Sequence, residues 1–249
     1  HTRQWIGTYS AFEIPLPPLP VQEEIVRRLD AMQDVVEALE NELALRRKQY
    51  EAVRERLIDG AAPGAECKTL GEIAQIERGC GLQKSDFTDF GMPCIHYGQI
   101  HTRFGVVTNN ALSHVSFELA NKLKVVHPGD IIMAVTSEDV GDVCKATAWL
   151  GDGIIVTGGH TAIIRHSQNA TFLSHYFKTR AFQRDKRKLA HGVKVIEVTP
   201  EDLKAIIIPV PPLPVQKEIA KKLDAFDELV NVALPAEIAA RRRAMEAVR

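Results

Sequence analysis

Apolar residues recur in alternating steps of four and three through Ile25, Leu29, Met32, Val36, Leu39 and Leu43. The pattern resumes at Tyr50, Val53 and Leu57, with Arg46 in the one missing slot. Such alternation is a heptad seam, the signature of helices that pack lengthwise on one another. Residues 21–58 hold no glycine or proline, and Gly60, Pro63 and Gly64 follow, so one helix is predicted over 21–58. At ~1.5 Å per residue it is a rod of roughly 57 Å. Pro15, Pro17, Pro18 and Pro20 precede it and predict an extended approach to its first turn.

The pattern is written twice. "IPLPPLPVQEEIVRRLDA" at 14–31 returns as "IPVPPLPVQKEIAKKLDA" at 208–225, identical at thirteen of eighteen positions with an offset of 194. "NELALRRKQYEAVR" at 41–54 returns as "AEIAARRRAMEAVR" at 236–249, identical at eight of fourteen, with an offset of 195. One residue has therefore been gained or lost inside the repeat. The second copy carries the seam through Ile219, Leu223, Phe226 and Val230 before Pro235. "LPAEIAARRR" places proline at the first position of a fresh helix, so a break or kink is expected near 232–235. Two such helices in one chain can pair with each other, parallel or antiparallel, and hold apart whatever they flank. A proline-rich ligand for an SH3-like domain is the competing reading of the lead-in; a structural role covers both copies.

Between the copies the periodicity changes. Short β-rich runs ("GEIAQIERG", "PCIHYGQI", "GVVTNN", "KVVHPGDIIMAVTSEDVG", "GIIVTGGHTAIIR") alternate with turns, while 171–190 has helical spacing around Phe172, Leu173, Tyr176, Phe177, Phe182 and Leu189. "EVTPEDLK" reads as a capped helical turn after Thr199. The expectation is an α/β (α+β) globular domain over 63–207, flanked by helical spacer regions at 14–62 and 208–249.

Composition adds one asymmetry. The 249 residues carry 31 Lys and Arg against 32 Asp and Glu, which gives no overall polyanion signal. Yet Arg165–Lys194 holds eight basic residues against Asp185 alone, a local charge of +7, and predicts one face built for a polyanion. No apolar run reaches the ~18–20 residues of a membrane span, and His1–Trp5 is not followed by a leader-like apolar stretch. A cytoplasmic protein without membrane attachment is expected. Cys67, Cys80, Cys94 and Cys144 form no CxxC pair and read as reduced structural thiols.

Catalytic signatures are absent. There is no GxxxxGK[ST], GxGxxG, HExxH, nucleophile elbow or Asn-Pro-Pro-aromatic signature of amino-methyltransferases. His96 and His101 fall in an expected strand-turn region without further metal ligands, so no metal site is assigned. A recognition module is favoured over an enzyme.

The proline lead-in "IPxPPLPxQxxI", the helix ending "RRKQYEAVRERLI" and the domain opening "KTLGEIAQIERG" together resemble the specificity subunit of type I restriction–modification systems, over essentially the whole chain. The resemblance implies a non-catalytic subunit. Each of its target recognition domains reads one half of a split double-stranded DNA target. Its helices form an antiparallel coiled coil that sets the spacing and docks methylation subunits. S-adenosylmethionine belongs to those subunits, and ATP and Mg to a restriction subunit. The chain departs from the family's two-domain order: it holds one recognition domain, and residues 1–13 resemble only the tail of a preceding one. It is therefore a fragment or a natural half-subunit, and a half-subunit could restore the two-domain form as a homodimer with a palindromic target. Rival readings are the recognition subunit of a two-subunit type II enzyme and a coiled-coil scaffold without a DNA role.

Inside a recognition domain, the basic run supplies candidate phosphate contacts at Lys178, Arg180, Arg184, Lys186, Arg187 and Lys188. Candidate base readers are the polar loop residues Lys84, Tyr97, Gln99, His101, Arg103, Ser137, His160, His191 and Lys194.

Overall fold

The structure is a computed structural model that describes Glu13 and residues 15–248. The expected tail of a preceding domain, apart from Glu13, lies outside the described residues. The described residues divide into two compact units, those up to 46 with 232–248, and residues 47–231. No helix is long and apolar enough to cross a membrane among the described residues.

The long helix α1 spans Leu19–Ala61. It starts with Pro20 already in its first turn, where a missing N–H costs nothing. The chain continues through β1 (Glu66–Thr69), α2 (Leu70–Ile73), β2 (Ala74–Arg78), β3 (Phe87–Thr88) and β4 (Met92–Ile95). Next come α3 (Tyr97–Thr102), β5 (Val107–Thr108), β6 (Ser113–Val115), α4 (Phe117–Ala120) and β7 (Lys124–Val126). Then follow β8 (Ile131–Ala134), β9 (Thr136–Ser137), β10 (Lys145–Trp149), β11 (Ile155–Thr157) and β12 (Thr161–His166). The helices α5 (Ala170–Tyr176) and α6 (Arg180–Leu189) precede β13 (Ile196–Glu197), α7 (Pro200–Lys204) and β14 (Ile207–Val210). The chain ends in α8 (Leu213–Glu228), a π-helical segment (Leu229–Ala233) and α9 (Leu234–Glu246).

Two mixed five-stranded sheets, ordered β2-β12-β8-β10-β5 and β3-β6-β4-β11-β7, form the core of the middle unit. Their facing side chains meet in one cluster that includes Ile132, Trp149 and Ile163 from the first sheet and Ile95, Val126 and Ile155 from the second. All four residues of β8 are buried, which explains its unbroken apolar run. Thr199 caps α7 in a capping box with Asp202, as its sequence predicts.

Two local expectations change. "PCIHYGQI" is not all strand: β4 stops at Ile95, and His96 caps α3, so His101 lies on a helix. The His96 ring accepts from the Gly98 N–H at 3.1 Å and Gln99 Oε1 accepts from the His96 N–H at 3.0 Å. The helical spacing of 171–190 is two helices, because the Thr179 hydroxyl accepts from the Phe182 N–H and starts a new one.

The repeat is reproduced bond by bond. The N–H groups of Val21 and Gln22 donate to the Pro18 carbonyl at 2.9 and 3.1 Å, and those of Val215 and Gln216 donate to Pro212 at 2.9 and 3.1 Å. Gln22 Nε2 donates to the Pro17 carbonyl at 2.7 Å, and Gln216 Nε2 donates to Pro211 at 2.7 Å. The shared glutamine thus folds back and pins the proline run to the helix. Gln216 alone is fully buried. It also accepts from the Asn169 N–H at 3.0 Å and donates to Gln168 at 2.8 Å, where α8 packs on α5.

The residue gained between the copies has a place. It falls between the two matched stretches, where the π-helical turn Leu229–Ala233 lies; i→i+5 bonding holds one residue more than an α-turn. The break or kink expected near 232–235 takes the form of this π-helical interruption, and the helical backbone continues through it. Ala233 keeps helical dihedrals (φ −65, ψ −56), and Pro235 sits at the start of α9.

The helices run antiparallel. Within the helical unit, Glu40 pairs with Arg242, while Val36 and Met245 line one cavity and are buried. In the middle unit, Tyr50 stacks on Phe226 with ring centroids 6.3 Å apart, and Ile219, Leu223 and Val230 are buried. The remaining seam residues Leu29, Met32, Leu39 and Leu43 are half-buried. Ile25 and Val26 are 42% and 55% exposed, whereas their repeat partners Ile219 and Ala220 are 6% and 4% exposed.

Burial lowers the pKa of four histidines, His96, His101, His166 and His175, with desolvation the largest cause in each. A lowered folded pKa means the unfolded chain binds more protons below the ordinary value of about 6.5. Stability is then full above that value and lost as pH falls below it. The urea midpoint is expected to drop between pH 7.5 and 5.5, and His175→Gln, which removes the most buried ring, should flatten that slope; an unchanged slope would sink the assignment.

Candidate nucleic-acid interface

Four separated segments converge on one cavity of about 430 Å³ in the middle unit. Tyr97 and His101 reach it from α3, Thr136–Asp139 and Asp142 from β9 and the loop after it, His160 from the turn before β12, and Val195 from a protruding loop. The aromatic wall is built by packing. Tyr97 lies 4.4 Å from the His96 ring and 4.7 Å from His160, measured between centroids. His101 Nε2 donates to the Thr136 carbonyl at 3.3 Å, and the Thr136 hydroxyl bonds His160 Nδ1 at 2.9 Å.

The protruding loop is 191–195. Backbone bonds between His191 and Glu197 close its base, and β13 pairs with β9, matching Ile196 to Ser137. Arg78 ties it further by pairing with Glu197 and donating to the Gly159 carbonyl at 2.9 Å. Gly192 has φ +106, and a Cβ there would meet the Val195 carbonyl oxygen at 2.0 Å; only glycine fits so tight a turn. Val193 at the tip is 95% exposed, and Lys194 is exposed, its side chain without a polar partner among the described residues.

The charge of the cavity is acidic. Glu138, Asp139 and Asp142 line it, and the Lys145 ammonium bonded to Asp142 holds that carboxyl below its usual range. Three carboxylates repel a phosphate and suit the exocyclic amino hydrogens of cytosine or adenine. Ser137, whose Oγ accepts from the Asp139 N–H at 3.3 Å, helps order this loop.

Of the expected base readers, Tyr97, His101, Ser137 and His160 meet in this cavity, and His191 and Lys194 belong to the loop at its rim. Lys84 is exposed in a single turn near His96, where its charge adds to desolvation in lowering that ring's pKa. Gln99 is a correction. Its carbonyl caps α3 and its amide donates to Ser113 Oγ at 2.8 Å, so neither end is available to a base. Arg103 lines a different cavity.

The basic run also separates into parts. Lys186 is another correction: it is fully buried, and its ammonium donates to the carbonyls of Gly141, at 2.8 Å, and Val143. It holds the acidic loop onto α6 and cannot reach a phosphate. Arg165 pairs with Asp130 at 3.2 Å and Glu77 at 3.3 Å. Arg180, Arg184, Arg187 and Lys188 share the outer stripe of α6, with Arg184 and Lys188 both on Asp185 at 3.1 and 2.9 Å. These two hold the Asp185 carboxyl down at about 2. Lys178 lies with Arg103.

Sequence reasoning missed the acidic loop residues Glu138, Asp139 and Asp142 and the apolar tip Val193. The "TSEDVGD" run of acids after a strand and the "HGVKV" turn were the available signals.

Residues 64–240 match the family described as "Type I restriction modification DNA specificity domain". The chain is 29% identical over 265 residues to the type I restriction enzyme EcoR124I/EcoR124II specificity subunit of Escherichia coli, covering 99% of this chain and 64% of that one. It is 28% identical over 236 residues to a putative type I restriction enzyme specificity subunit of Haemophilus influenzae, covering 88% and 56%. The fold is similar to the HsdS subunit from Thermoanaerobacter tengcongensis, with a TM-score of 0.56 at 24% identity over 94% of this chain and 58% of that one. The chain thus spans about three fifths of the length of the relatives it matches. The family match covers the cavity, the protruding loop and the α8 helix that carries the domain, and the chain belongs to the type I restriction modification DNA specificity domain family.

Proposed function

We propose that the chain is a sequence-reading subunit of a type I restriction–modification assembly and recognises one half of a bipartite double-stranded DNA target. The observation that carries this reading is the match of the whole 64–240 segment to a DNA specificity family, with an exposed loop set beside an acidic, aromatic cavity. The outer stripe of α6 and Lys194 position the duplex through phosphates. Tyr97, Ser137, His160 and the carboxylates of Glu138 and Asp139 face base edges, and Val193 offers an apolar contact that suits a thymine methyl.

On this reading the chain is not an enzyme. Methylation subunits dock on its antiparallel helices and bring S-adenosylmethionine; a restriction subunit brings ATP and Mg; and the assembly works in the cytoplasm. The second half of the target needs a second recognition domain, and pairing with another copy of the chain supplies one, which gives a palindromic site.

The test is retention of duplexes by the chain with its methylation subunit. Sequence-dependent retention and a split motif in the methylome are expected. Arg184→Ala/Lys188→Ala should weaken every duplex and make the plot of log affinity against log salt shallower by about 1–2. An unchanged salt slope would remove α6 from the interface, and retention without sequence preference would favour the scaffold reading.

A further inference from the structure

A second cleft in the middle unit has the opposite charge. Two cavities, of about 360 and 280 Å³, share Lys178 and Asn231. Arg103 and Lys145 line the first; Arg47 and Arg54 line the second. In a protein with balanced charge, five cations thus line two adjoining cavities, and Glu51 is the one carboxylate lining them among the described residues. The side chains of Arg47, Arg103 and Lys178 make no hydrogen bond or ion pair among the described residues.

Buried polar atoms without partners concentrate in the same place. Five such side-chain atoms occur among the described residues, and three belong to this cleft: Arg54 Nε, Ser174 Oγ and His101 Nδ1. Arg54 is 8% exposed and Ser174 1% exposed. Buried polar atoms ordinarily find partners, so unmet hydrogen-bonding capacity is concentrated in the walls of these two cavities. His101 Nε2 gives its proton to the Thr136 carbonyl, which leaves Nδ1 of the neutral ring as an acceptor for a hydroxyl or amino group.

Desolvation lowers the Lys178 pKa; Asp227 opposes it, and Arg54 and Lys145 add repulsion. A bound anion would relieve that mutual repulsion. Asp142 answers Lys145 at 2.9 Å, and Asp227 takes hydrogen bonds from Tyr50 and Asn231. Neither carboxylate neutralises Arg47, Arg103 or Lys178. The two volumes together fall in the range of small-molecule sites, roughly 300–1,000 Å³.

We infer that this cleft binds a phosphorylated small molecule of nucleotide size, its phosphate held by Lys178, Arg54 and Arg103 and its hydroxyl or amino donor by His101. The site lies apart from the acidic cavity, which shares only His101 with it, and it does not rest on the DNA reading.

The test uses the 249-residue chain, with thermal unfolding and calorimetric titration at constant ionic strength set by sodium chloride. The probes are inorganic phosphate, pyrophosphate and AMP, with a 20-base-pair duplex as a separate arm. A saturable rise in Tm is expected, strongest with AMP. Lys178→Ala/Arg103→Ala, both exposed positions, should weaken AMP at least tenfold. Ser174→Ala, which removes an unpartnered hydroxyl, should weaken it several-fold, and Lys221→Ala on α8 should leave it unchanged. No saturable response to any small probe, or equal responses in wild type and the double variant, would overturn the site. If the double variant loses only duplex affinity, the cations serve DNA and this site falls while the DNA reading stands. If AMP binding depends on these residues and no duplex binds, the reverse holds.

Discussion

Lys186→Ala is expected to destabilise the middle unit by about 2–5 kcal/mol, through stranded buried carbonyls and an emptied space in the core. The ammonium is fully buried and donates to two carbonyls of the loop 138–143. Its loss strands both carbonyls, at about 1–3 kcal/mol each, and empties the space of its stem. The loop it secures also carries Cys144 at φ +63, a left-handed conformation that a non-glycine residue holds only where its surroundings enforce it. Lys186→Met restores the packing and leaves the carbonyls stranded, so it should recover part of the loss. Arg187→Ala, one residue away on the outer face, should stay within about 0.5 kcal/mol. Urea titration followed by near-ultraviolet circular dichroism reads all three. Equal effects of Lys186→Ala and Arg187→Ala would show that the burial of Lys186 is wrong.

The second large effect separates the two copies of the repeat. Gln216→Ala should cost about 2–4 kcal/mol, because three hydrogen bonds of roughly 1 kcal/mol each disappear and the buried Pro211 carbonyl is left unpaired. Gln22→Ala removes the one matching bond from a half-buried position and should cost under about 1 kcal/mol. Identical sequence motifs would then contribute unequally, because only the second anchors a recognition domain through Asn169 and Gln168. Comparable losses in paired denaturation curves would mean that the motif acts solely on its own proline turn.

What could be read from the chain follows the range of each interaction. The repeat, the heptad helices and the Thr199 cap are local patterns, and the structure keeps them. The split of 171–190 at Thr179 was also local, since a threonine three residues before Phe182 is a cap signal. Lys186 was misassigned through counting charge rather than phase. It lies four residues after Phe182 and three before Leu189, on the inward stripe of α6. Gln99 carried a comparable signal, three residues after the capping His96. The acidic cavity was legible only in pieces, because Tyr97, Ser137 and His160 meet through strand pairing that spacing does not reveal. The heptad places Tyr50, but nothing local announces the partners of its hydroxyl, which donates to Asp227 and also contacts His175, across 177 and 125 residues of sequence.

The pairing of β1 with β14 sets how this domain is attached. Glu66 lies opposite Val210, and Thr69 opposite Ile207, so the chain enters and leaves the recognition domain at adjacent strands, about 5 Å apart. Everything between is a closed cassette on a two-strand stem. A cassette of different sequence spliced between Thr69 and Ile207 would meet the same stem and the same proline-pinned helix. Exchange of the whole segment would leave both long helices untouched.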